Sequence, residues 1–445
     1  MRFYDREAEL AELARIRELA FADHSRMTVI TGRRRIGKTS LISKALEMPT
    51  SQRQPSLYLF VSRKSEAALC REFAEQASAA LGMLVPAGVA SFGQLFRILM
   101  EASTHTPFTL VIDEFQEFES INRTVFSDIQ NHWDQLRRQS QMNLIISGSV
   151  YTLMHKIFRD QKQPLFGRAD VILDLKPFSV STLKEIIQEG NEAYSHDDLL
   201  ALFSFTGGVP KYVELLFDNG ALSVESSIGF IARENSLFID EGTNLLVGEF
   251  GRNYGIYFSI LQAISEGATT QSRIADLVGE SSLSGYLRRL EEDYSLLSRK
   301  RPILAKPTSQ TVRYEIDDNF LNFWFAFFQK NRAMVEIGNI GALRSIIEST
   351  YPTYSGLMLE RYFIKQLAET GEFKEIGSWW EPRGTQNEID IVALYVDKNR
   401  ALVAEVKRRQ ESFRISQLEQ KAEQLKAKAM NKYRLELRCL TLEDM

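Results

Sequence analysis

The sequence predicts an α/β fold in which a doubly wound parallel sheet comes first and a second, smaller α/β unit comes last. Three observations predict it. Unbroken, largely apolar runs at 28–30, 108–112 and 142–146 end in Thr31-Gly32, Asp113-Glu114 and Ser147-Gly148, as strands buried on both faces should. Stretches of helical spacing separate these runs, which is the alternation of a parallel sheet. Beyond residue 340, two further apolar runs, 389–396 and 401–406, flank a DKNR turn and are followed by a long helical stretch.

Bulk properties set the frame. A chain of 445 residues exceeds one ordinary domain, and about two to four are expected. A net charge of -4 argues against a basic footprint along the whole chain, although a local basic patch remains open. Cys70 and Cys439 are the two cysteines; they suggest no disulfide framework and fit a reducing cytoplasm. The opening MRFYDREAEL is charged from the start, without the apolar core of a signal peptide. The aromatic run at 320–328 is far short of the roughly 20 residues that span a bilayer. A cytoplasmic protein without membrane attachment is expected.

Taken in order, residues 5–20 carry Leu10, Leu13, Ile16 and Leu19 at helical spacing. The stretch MTVITGRRRIGKTSL, residues 27–41, then gives a strand, a loop and a helix start. It fits G-x-x-x-x-G-K-[ST], in which glycines let backbone N–H groups turn inward on phosphate oxygens at a helix N-terminus. Gly32, Arg33, Arg34, Arg35, Ile36, Gly37, Lys38, Thr39 and Ser40 are the expected nucleotide-binding residues. Lys38 would reach the β- and γ-phosphates and the Thr39 hydroxyl would ligate Mg²⁺. The three arginines are given electrostatic help and no further chemistry.

A buried strand is expected at 56–61, helices at 66–81 and 92–100, and the next strand at 108–112. Its terminal acids divide two jobs: Asp113 holds Mg²⁺ through a water and Glu114 polarises the attacking water. The strand at 142–146 ends in Ser147-Gly148-Ser149, where a hydroxyl either reports on the γ-phosphate or simply forms the loop.

Up to about residue 215 the chain resembles the archaeal and bacterial ATPases that stand close to the AAA+ and STAND signalling ATPases. The likeness rests on F-x-x-R-E-x-E-L (Phe3, Arg6, Glu7, Glu9, Leu10), TGRRRIGKTSL, LVIDEFQ, IISGS, PLFGRAD and TGGVPKY, in that order. It implies ATP as ligand. It also implies that Arg168 sits near the γ-phosphate, within the chain or across an interface in a nucleotide-dependent homo-oligomer, where a guanidinium offsets developing charge. Pro210 would lie in a helical lid over base and sugar.

The expected domains are an ATPase core at 1–178, a helical lid at 179–248, a winged helix at 249–335 and a last domain at 336–445. Three short helices between 254 and 293, then strands at 296–299 and 311–316, outline the winged helix. Its third helix carries Arg288 and Arg289 but also Glu291, Glu292 and Asp293, which phosphates repel. Arg299-Lys300-Arg301 in the wing is the better phosphate contact. Docking against the ATPase core or against a protein is the default expectation for this module, with DNA contact as the alternative.

In the last domain a helix is expected at 354–367, with Glu360 among its apolar residues, and another at 416–430. Strand alternation puts Glu388 with Asp390 on one face and Glu405 with Lys407 on another. An acid on an apolar strand is costly without a cation or partner. Asp390, then Glu405-Val406-Lys407 on the adjacent strand, resembles the PD-(D/E)XK nuclease core, although Ile389 replaces the proline. That resemblance makes Asp390, Glu405 and the helix-borne Glu360 ligands of Mg²⁺ or Mn²⁺, Lys407 the catalytic cation, and Gln417 or Gln420 supporting residues. The expected fold is therefore a P-loop ATPase with helical lid, winged helix and a restriction-endonuclease-like domain. Its nucleotide state would control a domain that cleaves DNA or only binds DNA or a protein.

Overall fold

The computed structural model describes residues 1–49, 54–86, 88–251, 254–280, 282–306, 308–381, 387–397 and 399–445. It divides into two compact units, Asp5–Lys176 and a second made of Met1–Tyr4 with Pro177–Met445.

The first unit is a five-stranded parallel sheet: β1 (Arg26–Thr31), β2 (Ser56–Phe60), β3 (Phe108–Asp113), β4 (Met142–Ser147) and β5 (Val171–Asp174). The strand order is β2-β3-β4-β1-β5. Strands β3 and β4 are buried at every residue, which explains their unbroken apolar character. The 56–61 run was expected to be a buried strand; β2 instead alternates between buried and open positions because it forms an edge. Helices cover both faces. Phe73, Phe96, Phe115 and Trp133 fill one side, and Leu13, Leu41 and Ile42 from the helices Glu7–Ala22 and Lys38–Glu47 fill the other. Because every strand runs the same way, Thr31, Phe60, Asp113, Ser147 and Asp174 all end at one sheet edge. Ligands bind at that edge in open α/β sheets.

The second unit begins with the helices Val180–Gly190, His196–Thr206, Pro210–Asp218, Val224–Ile231 and Leu237–Phe250. Three more, Tyr254–Ser265, Gln271–Val278 and Ser284–Glu292, precede an antiparallel hairpin of β6 (Leu297–Lys300) and β7 (Arg313–Ile316). A helix of 30 residues, Ile340–Glu369, crosses the unit and continues through Pro352. The final sheet has the order β11-β10-β9-β8, with β8 (Phe373–Trp379), β9 (Ile389–Tyr395), β10 (Arg400–Val406) and β11 (Arg434–Leu440). Helix Ile415–Lys428 connects β10 to its parallel neighbour β11. Lys398 of the DKNR turn lies outside the described residues.

Alternation along β9 and β10 covers this sheet on both faces. Ile391, Ala393, Leu402 and Ala404 join a core that also contains Leu359, Tyr362 and the helical segments from Phe178 onward. Val392, Leu394 and Val403 pack against Leu418 and Leu425. The stretches 179–248, 249–335 and 336–445 thus share one continuous core. No described helix is long and apolar enough to cross a membrane.

Candidate functional site

In the first unit the loop after β1 bends through positive φ at Gly32 (147°), Arg35 (68°) and Gly37 (88°). A Cβ on Gly32 would lie 3.0 Å from Ile36 and 3.1 Å from the Leu175 carbonyl, so only glycine fits there. Ile36 is buried and anchors the loop, whereas Arg34, Arg35, Thr39 and Ser40 are exposed and Arg33 is half-buried. Lys38, the first residue of helix Lys38–Glu47, is buried and donates from Nζ to the carbonyls of Gly32 (2.7 Å) and Arg33 (2.9 Å). Its ammonium therefore lies across the loop at a helix N-terminus, an electropositive setting suited to phosphate.

The acid pair closes the same edge. Asp113 is buried; its Oδ2 accepts the Tyr58 hydroxyl from β2, and its Oδ1 accepts the Glu114 amide at 2.9 Å. Burial and the Asp113 hydrogen bond hold the Tyr58 phenol well above its ordinary pKa, so it remains a donor. Glu114 adopts a left-handed backbone (φ 54°), uncommon for a residue other than glycine. Its Oε2 accepts from Ser149 Oγ at 2.7 Å and from Gln116 Nε2. The serine after β4 thus reaches the second acid of β3. Asp113 and Thr39 are the oxygen donors that would face a Mg²⁺ ion at this edge, and a buried carboxylate such as Asp113 is a chemically suitable one.

Arg168 is elsewhere. Its guanidinium donates to Asp134 at 2.8 and 3.2 Å, and to the Phe166 carbonyl at 2.9 Å. It precedes β5, whose Val171 lies level with Thr28 and whose Asp174 lies level with Thr31. Arg168 is thus at the sheet edge opposite the phosphate loop and does not reach that loop within its own chain, a correction to the intrachain reading. Pro210 belongs to the second unit, as the first residue of helix Pro210–Asp218, where its fixed φ suits a helix start.

The second unit brings another set together. Asp390 on β9 accepts the Val406 amide at 2.8 Å and the Lys407 ammonium at 3.4 Å. Glu405, buried on β10, is bracketed by two cations: Lys407 Nζ at 3.0 Å and Lys421 Nζ at 2.7 Å, on different carboxylate oxygens. Lys421, from helix Ile415–Lys428, also donates to the Glu388 carbonyl at 2.7 Å. Burial and then the Asp390 charge raise Glu360 to about 8, which places that helix-borne acid in the same field. Burial and then Glu405 raise Asp390 as well. Asp390 and Glu405 are the oxygen donors a divalent cation would meet here, and Lys407 and Lys421 already offset part of the acidic charge. Among the described residues no group of three or more His, Cys, Asp or Glu side chains is arranged as a metal cage.

Three sets of contacts add to the expectations here. Gln417 and Gln420 are exposed, and the side chain of this helix that reaches Glu405 is Lys421. Sequence held a signal for it, since Lys421 follows Leu418 by three positions and precedes Leu425 by four, on the buried helix face. Glu388 accepts from Arg313 of β7, whose guanidinium also lies 4.5 Å from the Trp380 ring centroid. The wing is less open than expected: Lys300 pairs with Glu315 at 2.6 Å, and Ile303 N donates to the Ser378 carbonyl at 2.9 Å. Arg299 remains exposed.

The phosphate loop, the strand-end acids and the all-parallel β2-β3-β4-β1-β5 sheet define a P-loop ATPase. Residues 3–216 match a family described as an ATPase domain predominantly from Archaea, and residues 324–424 match one described as archaeal and bacterial proteins of unknown function. The uncharacterized protein MJECL04 of Methanocaldococcus jannaschii is 30% identical over 414 residues, covering 91% of this chain and 87% of that one. The chain belongs to the same archaeal-type ATPase family. Among solved structures, the Walker-type ATPase PABY2304 of Pyrococcus abyssi aligns with TM-score 0.52 and 20% identity, covering 73% of this chain and 96% of that one. The ORC2 protein of Aeropyrum pernix, solved as ADPNP-ADP complexes, aligns with TM-score 0.52 and 14% identity, covering 76% and 96%. At these identities the likeness is one of fold.

Proposed function

We propose that this protein is a Mg²⁺-dependent ATP hydrolase whose nucleotide state controls a C-terminal site of the PD-(D/E)XK type, acting on DNA. In the first unit Lys38 neutralises the β- and γ-phosphates, while Thr39 and Asp113 hold the cation. Glu114, fixed by Ser149 and Gln116, accepts a proton from the attacking water. Arg168 serves the phosphates of a neighbouring copy in a homo-oligomer; its place at the opposite sheet edge favours that over an intrachain role.

The observation that carries the C-terminal reading is the meeting of Asp390, Glu405 and Lys407 across neighbouring strands. A bound Mg²⁺ or Mn²⁺ would supply Lewis acidity at the scissile phosphate. Asp390 and Glu405 would hold it, with Glu360 behind them, and Lys407 would offset charge on the phosphoryl oxygens. Arg299 and the exposed arginines of helix Ser284–Glu292 would meet the DNA backbone, in keeping with a winged-helix reading of that segment.

A second reading has an observation of its own. Both Glu405 oxygens are held by lysines, an arrangement that also suits a module that binds DNA or a protein without cleaving. Incubating duplex and single-stranded DNA with Mg²⁺ or Mn²⁺ separates the two. Cleavage by wild type and none by Lys407→Ala is expected; equal background in both removes the nuclease reading and leaves the binding switch.

A further inference from the structure

The residue after Lys407 points away from the site and into the helical segments. Arg408 donates to Asp197 Oδ2 at 2.7 Å and to the Ser355 hydroxyl. Asp197 lies in the first turn of helix His196–Thr206, and its other oxygen accepts the Tyr351 hydroxyl at 3.0 Å. Tyr351 and Ser355 are buried on the long helix Ile340–Glu369, and the Arg408 guanidinium lies 5.6 Å from the Tyr351 ring centroid. One clasp thus fastens the end of β10, a lid helix and the helix that carries Glu360.

The long helix makes a second hold at its other end. Lys365 Nζ donates to the Phe178 carbonyl at 2.6 Å, and Glu369 accepts the Val180 amide at 2.8 Å. Phe178 N in turn donates to the Gly208 carbonyl at 2.8 Å, beside Val209-Pro210. Pro177 and Phe178 are the first residues of this unit after the chain leaves the ATPase unit. A shift at the chain exit or in the lid therefore bears on two hydrogen-bonded holds, one adjacent to Lys407 and one on the helix of Glu360. Contiguous packed networks of this kind carry coupling between sites when the element they hold has two arrangements.

We propose that Arg408 is a positioning residue for Lys407, and that its clasp on Asp197 transmits the lid's nucleotide-dependent arrangement to the C-terminal site. This rests on the functional reading above and supplies its regulation. A merely structural ion pair would affect stability and nothing else. Coupling predicts more: the nucleotide dependence of the site is lost while ATP hydrolysis is kept.

Hydrogen–deuterium exchange on the full chain tests this, comparing peptides within 400–409 in the ADP form and with a non-hydrolysable ATP analogue. Wild type should show exchange in these peptides that differs on the order of fivefold or more between nucleotides, the lower end of measured couplings. Asp197→Asn should reduce that difference to within about twofold with ATPase rate unchanged. Arg408→Lys keeps the charge on Asp197 but gives up the fork to Ser355, so it should retain part of the difference. It carries the comparison alone if Asp197→Asn does not fold. A nucleotide-independent wild type, or a full response in the clasp variants, overturns the proposal. The exchange readout does not require cleavage, so a protein that cuts no DNA would remove the nuclease reading and leave the clasp standing.

Discussion

Lys421 Nζ lies 2.7 Å from one oxygen of Glu405 while Lys407 Nζ lies 3.0 Å from the other, so a single buried carboxylate is shared by two ammonium groups. Breaking a buried pair from one side is costly because the remaining charge loses its partner. Lys421→Ala is therefore expected to lower metal-dependent cleavage about 10- to 100-fold, the range for residues that orient a metal ligand. Lys421→Arg should restore part of it. Cleavage kinetics together with a Mn²⁺ titration check this, and unchanged values for both would show Lys421 to be a bystander.

Ser149 and Glu114 give the corresponding test in the ATPase unit. Glu114→Gln should still bind ATP but turn over on the order of 10²–10⁴ more slowly, the contribution of a general base. Ser149→Ala removes one hydrogen bond from that carboxylate and should cost about 2- to 10-fold in kcat, matching ~0.5–1.5 kcal/mol. Single-turnover hydrolysis with a separate binding measurement distinguishes these from Lys38→Ala, which should weaken ATP binding itself. Normal hydrolysis by Glu114→Gln would remove the assignment of the water-polarising acid.

Tyr58→Phe deletes the hydroxyl that pins Asp113 and leaves the edge strand otherwise intact. A hydrogen bond to a charged group is worth about 1.5–3 kcal/mol, so the Mg²⁺ midpoint of the ATPase should rise about tenfold or more. The Km for ATP at saturating Mg²⁺ should move little. An unaltered Mg²⁺ titration would make the Tyr58–Asp113 contact incidental.

The phosphate loop and the strand-end acids were legible because each residue type answers a local need: positive φ at Gly32 and Gly37, and a carboxylate at the open end of a buried strand. Alternation along two apolar strands put Glu405 with Lys407 on one face, while Asp390 was joined to them by the resemblance to the PD-(D/E)XK core. What escaped was set by tertiary contacts. Strand β8 reads FKEIGSW, mostly half-buried, and carries no clear period. The helix expected at 354–367 runs from Ile340 to Glu369 because packing carries it through Pro352, whose missing N–H alone argues for a break. The pairs Arg168–Asp134, Arg313–Glu388 and Arg408–Asp197 join residues far apart in sequence, where spacing carries no information.

Glu360 supplies a pH prediction. Its carboxyl is raised from the ordinary 4.5 to about 8, chiefly by burial and by Asp390. Between those values the unfolded chain has lost the proton that the folded chain keeps, so the contribution of Glu360 to stability is full below about 4.5 and is lost as pH rises toward 8. In chelator, the melting temperature of Glu360→Gln should fall less steeply than that of wild type across this window. Parallel profiles would show that Glu360 does not carry the proton.

The central claim is that the nucleotide bound in the first unit sets the activity of the C-terminal site. It is tested most directly by the rate of Mn²⁺-dependent DNA cleavage in Glu114→Gln held with ATP, compared with the same variant in ADP and with Lys407→Ala in ATP. The account predicts cleavage that differs on the order of tenfold between ATP and ADP and is absent in Lys407→Ala. Equal rates in ATP and ADP would contradict it.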